Sequence, residues 1–308
     1  MPTGYCFDGS NLGFRAQCVH PDLSSDGFPT GAIYGVLKIL TTFMREFPVG
    51  RFIIPFDFSK SDYRKSVSSD YKAHRKGDPR MVEIASKFHQ QINVVYDILG
   101  KLGAHTIGPE GMGYEADDII AYIVHRFIQG DFPGLTSITI ISSDKDLCAL
   151  IQPSVIWYNP IKKELITHKN FEEVFGVKIH QYPDFKRLKG DVSDGIWHPP
   201  GIGEKGAAKL LKEYGSIEEM QKIKLAKLLG HEEQLAKTKK LVDLDLHIKF
   251  PMDPIWNRID ESLRRKICIS SENEILEILR YFKFDSFLEV FDSFYTTWQS
   301  FSEAPFSA

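Results

Sequence analysis

A mainly parallel α/β sheet flanked by helices, followed by a helical C-terminal domain, is the fold class this sequence predicts. Three observations carry it. In the first half, short apolar runs alternate with stretches of helical apolar spacing, which is the pattern of a parallel sheet. From about residue 182 strand-like runs nearly vanish and Lys-rich helical stretches take over. The 308 residues suffice for one large or two modest domains with a buried core. The expected division is 1–181 for the α/β unit and 182–308 for the helical one.

Taken in order, strands are expected at 5–7, 51–56, 105–107 and 137–142, with an edge hairpin of 155–158 and 164–167. The intervening spans 32–43, 81–102 and 116–128 have the apolar spacing of helices. In the second half, helices are expected at 203–214, 223–229 and 232–243. A Pro-containing linker at 251–254 and aromatic-rich helices at 272–282 and 286–294 follow. Residues 296–308 lack periodicity and read as a loosely held tail.

The net charge of −3 gives no global attraction to nucleic acid, although basic residues segregated on one face would supply a local one. Cys6, Cys18, Cys148 and Cys268 are scattered and form no C-x-x-C pair, as expected of reduced thiols in a cytoplasmic protein. Asp8 and Arg15 interrupt the place where a signal peptide needs its apolar stretch. No segment reaches the roughly 18 uninterrupted apolar residues of a membrane span. The expectation is a soluble, cytoplasmic protein with no membrane partner.

Acidic residues recur where an α/β fold places its ligands. Asp8, Asp57 and Asp144 each follow an expected strand, and ligands of open α/β sheets gather beyond the carboxyl ends of strands. Glu115, Asp117 and Asp118 open one helix, where the macrodipole favours negative charge. Capping accounts for one or two of them, but three acids in four residues exceed that need. Asp144 and Asp146 open the next helix, and Asp191 and Asp194 lie on a Gly-flanked turn. Taken singly, Asp144 fits an N-cap as well as a metal site, Asp8 a strand-end turn, and the 191–194 pair a plain turn. Two carboxylates about 4 Å apart repel by roughly 4 kcal/mol at an effective dielectric of 20. Convergence would therefore call for protons or cations, and Mg²⁺ suits carboxylate and water ligands.

The span 59–76 is net basic, with Lys60, Arg64, Lys65, Lys72, Arg75 and Lys76 against Asp62 and Asp70. A solvated helix face is the ordinary reading. Tyr71 also offers a ring to stack on a base while Lys72 and Arg75 after it hold phosphate. Pro200-Gly201-Ile202-Gly203-Glu204-Lys205-Gly206-Ala207-Ala208-Lys209 reads as a hairpin turn into a helix. Its glycines permit close backbone approach to a phosphate, and Lys205 and Lys209 add sequence-independent attraction.

In order along nearly the whole chain, these motifs resemble the 5′ nuclease family, the flap endonucleases of phages and the 5′–3′ exonuclease domain of bacterial DNA polymerase I. The matching segments are Phe7-Asp8-Gly9-Ser10, Pro29-Thr30-Gly31-Ala32-Ile33-Tyr34-Gly35, Phe56-Asp57, Asp70-Tyr71-Lys72-Ala73-His74-Arg75 and Glu115-Ala116-Asp117-Asp118. They continue with Ser143-Asp144-Lys145-Asp146, Gly190-Asp191-Val192-Ser193-Asp194 and Pro200-Gly201-Ile202-Gly203-Glu204-Lys205. The resemblance implies a PIN-like core, a helical arch at about 59–95 and a helix–three-turn–helix hairpin at about 190–215. It implies two Mg²⁺ ions, with Mn²⁺ as a substitute. Asp8, Asp57, Glu115 and Asp117 would surround the first, and Asp144, Asp146 and Asp194 the second. Asp118 and Asp191 would support them through water or by orienting ligands.

By the same resemblance Tyr71 stacks on a base, while Lys72 and Arg75 contact the scissile phosphate of DNA carrying a 5′ flap or 5′ single-stranded end. Arg15 and Arg64 match further DNA-binding positions, and Gly201, Gly203, Lys205 and Lys209 the duplex-binding hairpin that often holds K⁺. Gly195 stands where the family commonly has Asn, and Trp197, His198 and Pro199 replace its usual run before the hairpin, which bears on the K⁺ site. The implied protein is a monomeric phosphodiesterase of a bacterial or phage-infected cell, acting in DNA replication and repair. A catalytically weak structure-specific binding module and an RNA-directed 5′ nuclease are the alternatives. For the tail, Trp298 and Phe301 leave two readings, a frayed terminus or a contact for a replication protein.

Overall fold

The computed structural model describes residues 3–57, 62–69, 71–72, 78–108, 114–132, 134–192, 194–244, 254–265 and 267–303. Strand β1 (Thr3–Phe7) is central to a six-stranded sheet with β4 (Gly50–Pro55), β5 (His105–Ile107), β6 (Ser137–Ile141), β7 (Val155–Asn159) and β8 (Glu164–Ile166). The strand order is β5-β4-β1-β6-β7-β8, all parallel except β8, which returns antiparallel along β7. The expected strands and edge hairpin are all present. A two-residue hairpin of β2 (Ser24–Ser25) and β3 (Phe28–Pro29) was not foreseen, being too short to show a period.

Helices α1 (Gly9–Val19), α2 (Gly31–Glu46), α4 (Pro79–Lys101) and α5 (Ala116–Ile128) connect the strands, as buried parallel sheets require. The short α3 (Asp62–Val67) lies between β4 and α4. The sheet divides two apolar cores. One gathers Ile119, Ile120, Ile123, Ile138, Ile140 and Trp157 on the α5 side. The other stacks Tyr5, Phe7, Phe43 and Phe52 edge to face on the α2 side.

After β8 come α6 (Phe171–Phe175), α7 (Tyr182–Lys189), α8 (Glu204–Tyr214), α9 (Ile217–Lys222) and α10 (Glu232–Val242). The helix expected at 223–229 is instead turns, with Ile223 and Leu229 exposed. Leu228 is still buried, as a plug rather than a helix face. Of the expected linker, 251–253 lie outside the described residues, and Pro254 opens α11 (Pro254–Arg264), consistent with proline's tolerance at a helix start.

The chain ends in α12 (Glu272–Tyr281), α13 (Asp285–Leu288) and α14 (Phe291–Ser302). For 296–303 the expected loose tail is corrected, 304–308 lying outside the described residues: Trp298 is 1% and Phe301 4% exposed, packed against Phe52 of β4. These rings belong to the α2-side core, so neither a frayed terminus nor a partner contact describes them. The last three helices contribute to the α2-side core of the α/β unit. Among the described residues no helix is long and apolar enough to cross a membrane.

Candidate metal and phosphate site

Because β4, β1 and β6 are adjacent and parallel, their carboxyl ends bring Asp57, Asp8 and Asp144 together. Each is fixed by its own turn. Asp8 caps α1, accepting the Asn11 amide at 2.9 Å and the Ser142 hydroxyl at 3.1 Å. Asp57 accepts the Ala116 amide at the start of α5, and its own amide donates to Ser10 Oγ at 2.7 Å. Asp144 caps a 3₁₀ turn (Lys145–Leu150) by accepting the Asp146 amide at 2.8 Å. Its carbonyl accepts from Trp157 Nε1 at 3.0 Å. Seryl hydroxyls at 10, in the first turn of α1, and at 142, just after β6, therefore orient the site, roles that small polar residues in a sequence do not advertise.

Crowding of like charge is visible in their acidities. Burial, then the neighbouring Asp57 carboxylate, pushes Asp8 up to about 8. Burial and Glu115 push Asp57 up to about 7. Burial and Asp146 do the same to Asp144, to about 7. Asp117 adds to all three, so the two expected acid groups form one continuous field.

At the start of α5, Glu115 and Asp118 form a capping box, with Asp118 Oδ2 accepting the Glu115 amide at 2.9 Å. Asp118 is fully buried and faces Arg64. The Arg64 guanidinium forks onto Asp117 at 3.1 and 3.2 Å and onto Asp118 at 2.8 and 3.1 Å, and reaches Glu115 at 2.8 Å. Arg64, expected to contact DNA, is 1% exposed and stands here as an interior counter-ion of three acids. Burial alone would lower the guanidinium, but Asp117 and Asp118 outweigh it and hold it well above the ordinary value.

Tyr71, expected to stack on a base, is likewise turned inward at 8% exposure, its hydroxyl donating to Glu115 at 3.1 Å. Lys72 Nζ donates to the same carboxylate oxygen at 2.8 Å and is only partly covered. Its amide donates to the Asp194 carbonyl at 3.0 Å, tying this segment to the 191–194 turn. Arg75 lies outside the described residues, as do Lys60, Asp70 and Lys76.

On the other side Asp146 and Asp191 share a cation that the acid pattern did not reveal. Lys186 of α7 donates to Asp191 at 3.1 Å and pairs with Asp146. Burial opposes its charge, but Asp146 and Asp191 hold the ammonium above its ordinary value. The turn closes by reciprocal backbone bonds between Asp191 and Ile196 at 2.7 and 3.0 Å. Gly190 enters it at φ 65°, where a Cβ would meet Ile196 O and His198 at 2.8 Å. A cleft of about 480 Å³ opens here, lined among others by Arg15, Asp144, Asp146, Lys186, Asp191 and Asp194. Arg15, an expected DNA contact, stands exposed at its edge, bonded to Ser143.

Gly201 and Gly203 lead into α8 with Lys205 and Lys209 exposed on it. Gly201 adopts φ 75° with open space around it, as a backbone approached by a ligand requires. Glu204 of the same helix lines the cleft, which places the hairpin at its rim.

Among the described residues no three acids, cysteines or histidines stand close enough to grip one ion as they are. Arg64, Lys72 and Lys186 draw the carboxylates onto themselves instead. The donor set nevertheless fits hard divalent ions, being all oxygen, partly water-accessible and still repelling itself despite three internal cations.

A family model described as 5′-3′ exonuclease, N-terminal resolvase-like domain, matches residues 3–176, and one described as 5′-3′ exonuclease, C-terminal SAM fold, matches 177–262. The 5′-3′ exonuclease of Aquifex aeolicus is 33% identical over 293 residues, 91% of this chain and 97% of that protein. DNA polymerase I of Caldicellulosiruptor bescii is 33% identical over 301 residues, but the match takes in only 33% of the polymerase. Among solved structures, the T5 5′-exonuclease with bound zinc shares the fold, with a TM-score of 0.71 and 22% identity over 90% of this chain and 99% of that one. The chain belongs to the 5′-3′ exonuclease family.

Proposed function

We propose that this chain is a structure-specific 5′ nuclease that hydrolyses phosphodiester bonds at 5′ flaps and 5′ ends of DNA with two divalent ions. The observation that carries the reading is the convergence of Asp8, Asp57 and Asp144 at neighbouring strand ends, with their acidities raised to about 7 or 8 by burial and mutual repulsion. Asp8, Asp57, Glu115 and Asp117 would hold one ion, and Asp144, Asp146 and Asp194 the other, with Mg²⁺ the natural occupant and Mn²⁺ its substitute. Ions so held lower the pKa of bound water and stabilise a leaving 3′ oxygen.

The chain's own groups have separate tasks. Ser142, the Asn11 amide and the Ala116 amide fix the rotamers of Asp8 and Asp57. Lys72, beside Glu115 and partly open to solvent, would neutralise charge on the scissile phosphate, a task shared with Arg75. Arg15 would hold the strand at the cleft edge, and Gly201, Gly203, Lys205 and Lys209 the flanking duplex, with K⁺ at the hairpin. A monomer suffices for these roles. Cleavage of a 5′-flap duplex tests the reading, with Mg²⁺, with EDTA, and with Asp144→Asn. Cutting by the parent chain with Mg²⁺ alone is expected, and equal cutting in all three arms, or none in any, would sink it.

A further inference from the structure

Lys186 sits where an ion bridging the second acid group would act. Its Nζ joins Asp146, from the 3₁₀ turn, to Asp191, from the loop after α7, with the Asp191 contact at 3.1 Å. The residue is 5% exposed, so this charge is part of the interior. The other cleft lysines are engaged elsewhere, Lys145 with Glu164 at 2.8 Å and Lys189 with Glu204 at 3.6 Å. One ammonium therefore holds together two carboxylates from different parts of the chain, at the wall of a cleft that admits solvent.

We infer that Lys186 is a resident counter-ion that competes with a divalent cation for Asp146 and Asp191, and that its ammonium swings into the cleft toward substrate phosphate when the cation takes those oxygens. This rests on the reading of Asp144, Asp146 and Asp194 as the second metal site, with Asp191 supporting it from beside Asp146. An ammonium and a divalent ion a few ångströms apart repel strongly, so both cannot occupy the same pair of carboxylates. The four-carbon stem of lysine lets Nζ relocate while α7 stays in place. The cleft that Lys186 lines gives it somewhere to go, and a phosphodiester there would replace the carboxylates it gives up. Metal uptake at this group is then weakened without substrate and strengthened by it.

Calorimetric titration of the full chain with Mn²⁺, in the absence of DNA, tests the competition. In Lys186→Met and Lys186→Gln the weaker Mn²⁺ event should tighten by about tenfold or more, because the competing charge is gone. Unchanged or weaker binding in variants whose circular dichroism matches the parent would overturn the inference. Should neither variant fold, the parent chain decides: labelling of Lys186 by an amine-reactive reagent, read by peptide mapping, should rise severalfold when Mn²⁺ is added. Equal or reduced labelling would overturn it. A parent chain that takes up no Mn²⁺ at all would instead defeat the metal reading beneath it, which keeps the two failures apart.

Discussion

At the scale of single residues, the site is a balance between crowded carboxylates and a few interior cations. Arg64 pairs with Glu115, Asp117 and Asp118 at once, and removing one partner of a buried ionic group typically costs about 3–5 kcal/mol. Arg64→Met should therefore lower stability by about that amount in chemical denaturation with EDTA, and Arg64→Lys by less, since it keeps the charge but loses the fork. A melt unchanged by Arg64→Met would show that the three acids need no guanidinium.

The carboxylates also set a pH dependence. Asp8, Asp57 and Asp144 titrate near 8, 7 and 7 in the folded chain against an ordinary 3.8, so the native state binds more protons than the unfolded one between those limits. Stability then falls as pH rises through them. His105 acts in the opposite sense, pushed down to about 4 chiefly by burial, but only below its ordinary value of 6.5. In EDTA the chain should accordingly unfold at lower denaturant near pH 8.5 than near pH 7, and Mg²⁺ should flatten the difference. A flat profile in EDTA would contradict the crowding. The acids were legible in the sequence because each follows an apolar run, opens a helix or, for Asp191 and Asp194, lies on a Gly-flanked turn. Arg64 was not, because a basic residue in a charged run looks like a solvated or phosphate-binding one. Its partner Glu115 stands 51 positions away.

At the scale of elements, periodicity announced what packing needed and little else. The strands bury short apolar runs on both faces, α5 is buried nearly all round, and the long helices α2 and α4 bury an apolar stripe each, so their patterns were readable. The α14 helix was not, because a run of Phe, Tyr, Trp, Ser and Thr has no contrasting polar face until Phe52 and the α2-side rings are brought to it. It follows that the C-terminal segment is structural. Trp298→Ala should cost about 3–5 kcal/mol in urea denaturation, as large aromatic deletions in cores do. A cost below about 1 kcal/mol would return those rings to the status of a tail. The segment of α3 through Lys72 is the reverse case, since its position depends on charge. It packs beside α10 and reaches the acids through Arg64, Tyr71 and Lys72. On the proposed reading Lys72→Ala slows turnover far more than it weakens duplex binding, a split that single-turnover kinetics and anisotropy would resolve. A change in affinity alone would remove Lys72 from the reaction.

At the scale of the whole molecule, a net charge of −3 hides a division of labour. Negative charge is concentrated at the strand ends, while exposed lysines line the hairpin helix α8 at the rim of the same cleft. Duplex binding of the proposed kind should weaken steeply with salt, and Lys205→Ala and Lys209→Ala should each reduce the salt slope by about 1 without changing sequence preference. An unaltered slope would move the duplex elsewhere. The central claim is that the acids at the ends of β4, β1 and β6 form two cation sites side by side. Anomalous diffraction from crystals of the chain grown with Mn²⁺ tests it most directly. Two peaks are expected, one among Asp8, Asp57, Glu115 and Asp117 and one among Asp144, Asp146 and Asp194, whereas no peak within reach of these carboxylates would contradict it.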